Sequence, residues 1–458
     1  MKKSIALLVF LLLPALAAAQ KTPGNDSPDF GQLIEEALTS RNDYHLLEEL
    51  CAIGPRLSGY PGAQKACRWA ADKLREMGCD TVWLDPVTVP NWQRGAIEEA
   101  EITAPPQYAG RKLQIGALGR SVGTGGKPLT AAVVEVDSFN YLDKMDPALI
   151  RGKFVFFNEP FDQRLIRTFS AYSKAVRQRT KGPVEASRKG AVGAIVRSVT
   201  SRDDNVPHVG VTRLDSVVKP VPAVAVGVQD AEFLSRALKT DPDLKLTLTL
   251  SCGNMGTATS YNVIGEIRGS RFPEEIITIG GHLDAWDKGQ GAHDDGAGCV
   301  QAMAVIGLFK KMHIVPERTI RCVLFADEEQ KQNGAEKYAA RADSLHEHHV
   351  AAIESDRGGF TPRGFEVDAD STVIEAMQKF LPELQPAGIE WIRKGGSGAD
   401  ISYLKHIQAR IGYFPDDQRY FDYHHSDNDT IDKVNPRELA LGTASIAILA
   451  ELISRNGL

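Results

Sequence analysis

Five short segments in the C-terminal half carry histidines and acids of the kind that bind a divalent cation. They are Gly281-His282-Leu283-Asp284, Ala292-His293-Asp294-Asp295-Gly296, Asp327-Glu328-Glu329, Glu354-Ser355-Asp356 and His424-His425-Ser426. Each alone has an ordinary reading: a satisfied buried histidine, a helix N-cap, a surface acidic pair, a turn. In open α/β sheets, however, sites form beyond the carboxyl ends of strands, and all but the Asp294 group follow an apolar, strand-like run, the His424 group within the loop after it. The Asp294 group lies at the entrance to a helix. Imidazole and carboxylate in low coordination number suit zinc. Two ions sharing one carboxylate need one histidine and one further acid each. His282, Asp294 and Asp356 then serve one ion. Asp294, Glu329 and an imidazole of the His424-His425 pair serve the other. Such a pair carries a bridging hydroxide that attacks a carbonyl. Glu328, beside Glu329, is placed to act as general base. Asp284, two residues after His282, is placed to fix that imidazole's tautomer.

The elements that must position these groups are legible in the surrounding pattern. Ile276–Gly280, Ile320–Ala326, Val350–Ile353 and Ala409–Phe414 read as strands, the second apolar at every position but Arg321, as a strand buried on both faces should largely be. Val300, Met303, Gly307 and Leu308 mark one face of a helix. Asn435-Pro436-Arg437-Glu438 supplies an N-cap, a first-turn proline and an acid before a long apolar helix. Upstream, 30–50 and 63–77 read as helices and 81–89 as a strand. Strand and helix in alternation predict an α/β domain with a mainly parallel mixed sheet flanked by helices. Between them, short β segments recur, and Leu244, Leu246, Leu248 and Leu250 alternate with polar residues. No ligand-like cluster occurs there. The expected organisation is a linker over 20–28, a catalytic domain in two parts (29–115 and 253–458), and a separate β-rich domain inserted at 116–252.

The chain opens with Lys2-Lys3, an apolar run too short to span a bilayer, and Ala17-Ala18-Ala19. That pattern is a signal peptide over 1–19, which predicts export to the periplasm or the medium and no membrane association after cleavage. A net charge of -6 argues against a nucleic-acid partner. Six cysteines permit disulfides whose pairing cannot be read from sequence; Cys299 and Cys322, in apolar patterns, read as buried thiols.

The motifs GGHLDAWDKGQGAHDDGAG, FADEEQ, ESD and HHSDNDT resemble those of the two-zinc exopeptidases of the aminopeptidase and glutamate carboxypeptidase group. The resemblance implies two Zn2+ per chain, held by His282, Asp294, Glu329, Asp356 and His425, with Asp294 bridging and Glu328 as base. His425 is preferred over His424 because the family's ligand directly precedes Ser or Thr. His424 then falls where relatives contact substrate. The resemblance also implies a cis peptide bond after Asp294, a protease-associated identity for the inserted domain, a peptide substrate and a homodimer. One departure stands out. Many relatives follow the paired acids with Gly and an apolar residue, whereas this chain has Lys331 and Gln332.

The resulting expectation is a zinc exopeptidase acting on dipeptides or short peptides as an aminopeptidase, dipeptidase or carboxypeptidase. Two alternatives stand beside it: a glutaminyl-peptide cyclase working with one zinc, and a non-catalytic receptor or binding module. Cobalt or manganese also suits the ligand types.

Overall fold

The computed structural model describes residues 28–458. The expected signal peptide, and all but the last residue of the expected linker, lie outside the described residues. Two eight-stranded mixed sheets form the frame. The first runs, in spatial order, Thr81–Gln93, Gly253–Ile267, Arg318–Phe325, Phe272–His282, His348–Glu354, Ile407–Pro415, Pro362–Asp368 and Trp391–Lys394. Its four central strands, from Arg318–Phe325 to Ile407–Pro415, are mutually parallel. Antiparallel pairing on either side makes the sheet mixed.

The apolar run read as a doubly buried strand is buried at every position of Arg318–Phe325. Alternate residues explain why. Ile320, Cys322 and Leu324 pack with the helix Ala297–Lys311, while Val323 and Phe325 pack with Ala335, Tyr338 and Ala339 of the helix Asn333–Leu345. Period-two alternation sends neighbours to opposite faces, so a strand between two helix layers is apolar on both faces from Cys322 to Phe325, while the buried Arg321 is paired with Glu266 and Glu347. The C-terminal helix Pro436–Asn456 starts as expected: Asn435 accepts from the amides of Arg437 and Glu438. The segment read as one helix over 30–50 is two, Phe30–Ser40 and Asn42–Ala52, because Arg41 takes a left-handed backbone conformation with φ of 50°. No helix among the described residues is long and apolar enough to cross a membrane. All six cysteines are free thiols, Cys79 half-buried and the others buried.

The second sheet runs Lys112–Leu113, Glu98–Ala104, Lys245–Leu250, Leu129–Val136, Phe154–Phe157, Gly193–Arg197, Ala223–Val226 and Ile115–Ala117. It starts at Glu98, so the boundary expected at 116 falls inside it. Nor is the unit built of strands alone. The helix Val228–Thr240 covers one face through Ala231, Leu234 and Leu238, and short helices supply Leu142, Ile150 and Ala186 to the other.

The two sheets are pinned together just after the His282 loop. Arg94 reaches both oxygens of Asp287, at 2.7 and 2.6 Å, and also Glu98 at 2.8 Å and the Ala117 carbonyl at 2.7 Å. Trp92 and Trp286 meet edge-on beside it, with centroids 6.4 Å apart. Arg94 and Asp287 are almost fully buried. Arg94→Met therefore leaves a buried carboxylate without its partner, and we expect a loss of about 3–5 kcal/mol in urea unfolding. A loss below about 1 kcal/mol, the range of an exposed pair, would contradict this.

Candidate metal centre

The parallel strands end side by side, which brings the five segments together. Phe272–His282 ends on His282 itself, Arg318–Phe325 leads into Glu328 and Glu329, and His348–Glu354 leads into Asp356. Asp294 lies in the irregular turn Ala292–Gly296 ahead of the helix Ala297–Lys311, and the peptide bond between Asp294 and Asp295 is cis, as the family resemblance implies. His425 follows the strand Ile407–Pro415 through a short loop and has a left-handed backbone, φ 61°.

Asp294 stands at the middle of the arrangement. Its Oδ1 is 3.3 Å from His282 Nε2, which is 3.5 Å from Asp356 Oδ1. Its Oδ2 is 3.2 Å from His425 Nε2, which is 3.0 Å from Glu329 Oε2. Each oxygen of one carboxylate thus faces its own imidazole–carboxylate pair. Four donors tetrahedrally arranged about 2.0–2.1 Å from zinc stand about 3.3 Å apart, and the observed separations scatter around that value. Asp294 Oδ2, Glu329 Oε1 and Asp356 Oδ1 are buried and accept no hydrogen bond. Buried carboxylate oxygens ordinarily find partners, so this cluster is arranged for cations.

Electrostatics agree. Burial works to raise the pKa of Asp294, but His282 and His425 outweigh it and hold the carboxylate well below its ordinary range. Burial pushes Glu328 up to about 8, with His282 opposing and Glu329 and Asp356 reinforcing.

Two neighbours satisfy the cation geometry only superficially. Asp295 lies close to His282 and Asp356, yet its oxygens are taken by the amides of His282 (3.1 Å) and Gly298 (3.1 Å). It shapes the loop. His424 stacks on His425 with centroids 3.5 Å apart, and its Nε2 is 3.8 Å from Asp294. It has no second carboxylate to match the Glu329 contact of His425. His424 lines the cavity in front of the centre, where the sequence placed a substrate contact.

Asp284 corrects one expectation. The tautomer of His282 is set by the main-chain carbonyl of Asp284, 2.9 Å from Nδ1, while the Asp284 carboxylate stands 4.0 Å away. Two residues beyond the histidine, the chain turns back so that the carbonyl reaches the ring first. The carboxylate instead accepts from the Glu328 amide at 3.1 Å, tying the two loops together.

Other residues also shape the centre; among them only Asp429 lies in a motif the sequence singled out. Arg56, 1% exposed, donates to the carbonyls of Leu283 (2.8 Å), Gly291 (2.6 Å) and Gln290, bracing both sides of the His282–Asp294 loop. Asp429 accepts from the amides of His293 (2.8 Å) and Asp294 (3.1 Å). The second sheet's unit contributes too. Val209 donates its amide to the His425 carbonyl at 2.9 Å. The Val209 carbonyl lies 3.3 Å from His425 Nδ1 and accepts from Arg179 at 3.1 Å. A metal-binding imidazole usually gives its other N–H to such a carbonyl. The segment with no ligand-like cluster therefore orients one of the candidate ligands.

The departure at 331–332 also finds a place. Gln332 Nε2 donates to Glu328 Oε1 at 2.9 Å, and its own carbonyl accepts from Tyr403 at 3.1 Å. That fixes the amide's orientation and holds the Glu328 carboxyl. Gln332→Leu should lower kcat about 10-fold, the order of one hydrogen bond to a charged group, without loss of bound metal. An unchanged kcat would remove Gln332 from the site.

Comparison with known proteins identifies the family. The profile of peptidase family M28 matches residues 262–449. Carboxypeptidase Q of Bos taurus is 33% identical over 405 residues, covering 88% of this chain and 83% of that protein. The Homo sapiens carboxypeptidase Q matches with the same identity and coverage. The structure of a peptidase M28 precursor from Shewanella amazonensis superposes with a TM-score of 0.89 at 34% identity, covering 94% of this chain and 96% of that one. BSAP, a zinc aminopeptidase from Bacillus subtilis, shares the fold, with a TM-score of 0.64 at 19% identity over 89% of this chain and 95% of that one. With a relative one-third identical over most of its length and a solved M28 structure superposing over nearly all of it, the chain belongs to peptidase family M28 and is a metallo-exopeptidase.

Proposed function

We propose that the protein is a zinc-dependent exopeptidase of dipeptides or short peptides, holding two zinc ions per chain. His282, Asp294 and Asp356 take one ion, and Asp294, Glu329 and His425 the other. The observation that carries this reading is the division of the Asp294 carboxylate between two imidazole–carboxylate pairs. Zinc bound there supplies Lewis acidity, lowering the pKa of water and polarising a carbonyl. The chain's own residues do the rest. Glu328 lines the cavity of about 520 Å³ in front of the centre. It takes the proton of the attacking water and returns it to the leaving amine. Gln332 and the Glu328 amide's bond to Asp284 keep that carboxyl facing the cavity. His424, beside His425, contacts the substrate.

The unit built on the second sheet is proposed as a protease-associated domain, on the resemblance together with its insertion between two strands of the catalytic sheet. A signal peptide over 1–19 and export are supported by the opening sequence, and a homodimer by the resemblance alone.

The test is mass spectrometry of one dipeptide in three forms: free, N-acetylated and C-amidated. Cleavage that a chelator abolishes and zinc restores supports the reading. A varied panel left uncut, with cyclisation of an N-terminal Gln peptide instead, would establish the cyclase alternative.

A further inference from the structure

The acids lining the cavity are Asp294, Glu328, Glu329 and Asp356. All four are assigned to the metal ions or to the base. The charge left to face a substrate is positive: Arg120, Arg213 and Lys331 line the same cavity. Among the described residues, none of the three side chains makes an ion pair within 4.0 Å or a hydrogen bond; their neighbours are reached by backbone only, as from Arg213 to Thr180 and Lys331 to Asp327. Asp327, the acid that interacts with the Arg120 guanidinium, is fully buried and lines neither this cavity nor the next, and burial pushes it up to about 9.

Arg120 and Lys331 also line a second cavity of about 210 Å³, whose remaining wall includes Val89, Pro90, Trp92 and Leu214, with Thr88, Asn254, Thr257 and Asn333 at its polar side. Two cations therefore stand on the wall shared by the metal cavity and an apolar pocket. Arg120 holds its place with a left-handed backbone, φ 66°. For a residue with a β-carbon this is unfavourable and persists where the surroundings impose it. Here Gly119 donates to Gly210 and accepts from Thr212, at 2.9 and 3.0 Å. Ser121, on the other side, accepts from Trp92 at 2.8 Å. The frame thus aims this one arginine at the junction of the two cavities.

We propose that Arg120 and Lys331 anchor the free carboxylate of a peptide, whose C-terminal apolar side chain enters the pocket formed by Val89, Pro90, Trp92 and Leu214. A carboxylate next to a side chain is the chemistry of a C-terminal residue, and a guanidinium binds it through two parallel hydrogen bonds. A free N-terminal ammonium finds no uncommitted acid at this wall. Lys331 is then a specificity residue. The volume suits one aliphatic side chain, and the two cations at its edge disfavour a basic one.

The inference rests on the peptidase reading, and the experiment separates the two. Wild-type protein loaded with zinc is given Ala-Leu, Ala-Leu amide and Ala-Lys. We expect kcat/KM for Ala-Leu to exceed that for the amide by about 100-fold or more, since the amide removes the charge that both cations read. In Arg120→Asn/Lys331→Met, KM for Ala-Leu should rise about 10- to 100-fold, with kcat within a few-fold and the amide unaffected. Asparagine is chosen because it tolerates the left-handed conformation. Lys331→Met alone, at an exposed position, should show part of the rise and guards against a folding defect in the double variant. Leu214→Asp, at a position 45% exposed, should lower turnover of Ala-Leu and raise that of Ala-Lys. Equal turnover of the free and amidated peptides by wild type, or a free-to-amide ratio unchanged in Lys331→Met and in the double variant, overturns this proposal and leaves the peptidase reading standing. Absence of chelator-sensitive cleavage of any peptide overturns both.

Discussion

Glu328→Gln is expected to bind zinc at the wild-type ratio and to lose about 10² to 10⁴ in kcat, the range of a general acid–base contribution. The substitution preserves the shape of the side chain and keeps an oxygen available to Gln332. It removes the ability to take a proton. Glu328 suits the role because it is held on both sides: its amide donates to Asp284, and its carboxyl accepts from Gln332. Burial raises its affinity for protons toward the neutral range, to about 8, whereas an ordinary glutamate is too weak a base to accept a proton readily at neutral pH. Cations bound beside it pull in the opposite direction, so kcat should have an acid limb that disappears in the glutamine variant. Because amide hydrolysis also needs the proton returned to the leaving amine, the loss should appear in kcat far more than in KM. Elemental analysis alongside steady-state kinetics separates the outcomes. Near-normal turnover at full zinc content would take the base role away from Glu328, and loss of zinc would make it a ligand.

Asp294→Ala is expected to abolish binding at both sites, with activity falling to background. Asp356→Ala and Glu329→Ala should each weaken one site. The asymmetry follows from the geometry: Asp294 alone places an oxygen in both donor sets, at 3.3 Å from His282 and 3.2 Å from His425. The fold should survive, since Asp429 holds this loop through the main-chain amides of His293 and Asp294 and not through the lost side chain. Equilibrium dialysis with zinc checks the prediction. Retention of two ions by Asp294→Ala would end the bridging assignment.

The centre was legible because its residues obey a positional rule. Four of the five segments follow an apolar run, and a parallel sheet gathers strand ends on one edge, so candidate ligands far apart in sequence could be placed together without coordinates. The parts that escaped act through the main chain across long separations. Arg56 reaches carbonyls 227 and 235 residues away, and Val209 supports His425 from 216 residues away; neither contact imposes a residue pattern. Asp284 was expected to orient His282 through its carboxylate, but whether its carbonyl or its carboxylate reaches the ring depends on the turn and not on the residue type. The start of the second sheet escaped for a related reason. Thr81–Gln93 and Glu98–Ala104 are both β segments only four residues apart, yet they enter different sheets; what separates them is the buried contact of Arg94 with Asp287, which no local pattern announces.

Anomalous diffraction from zinc-soaked crystals, collected on both sides of the zinc absorption edge, tests the central claim most directly. The account predicts two zinc peaks per chain, one between His282 and Asp356 and one between Glu329 and His425, with an oxygen of Asp294 bound to each. A single peak, or a peak held by Asp295 or His424 in place of these residues, would contradict it.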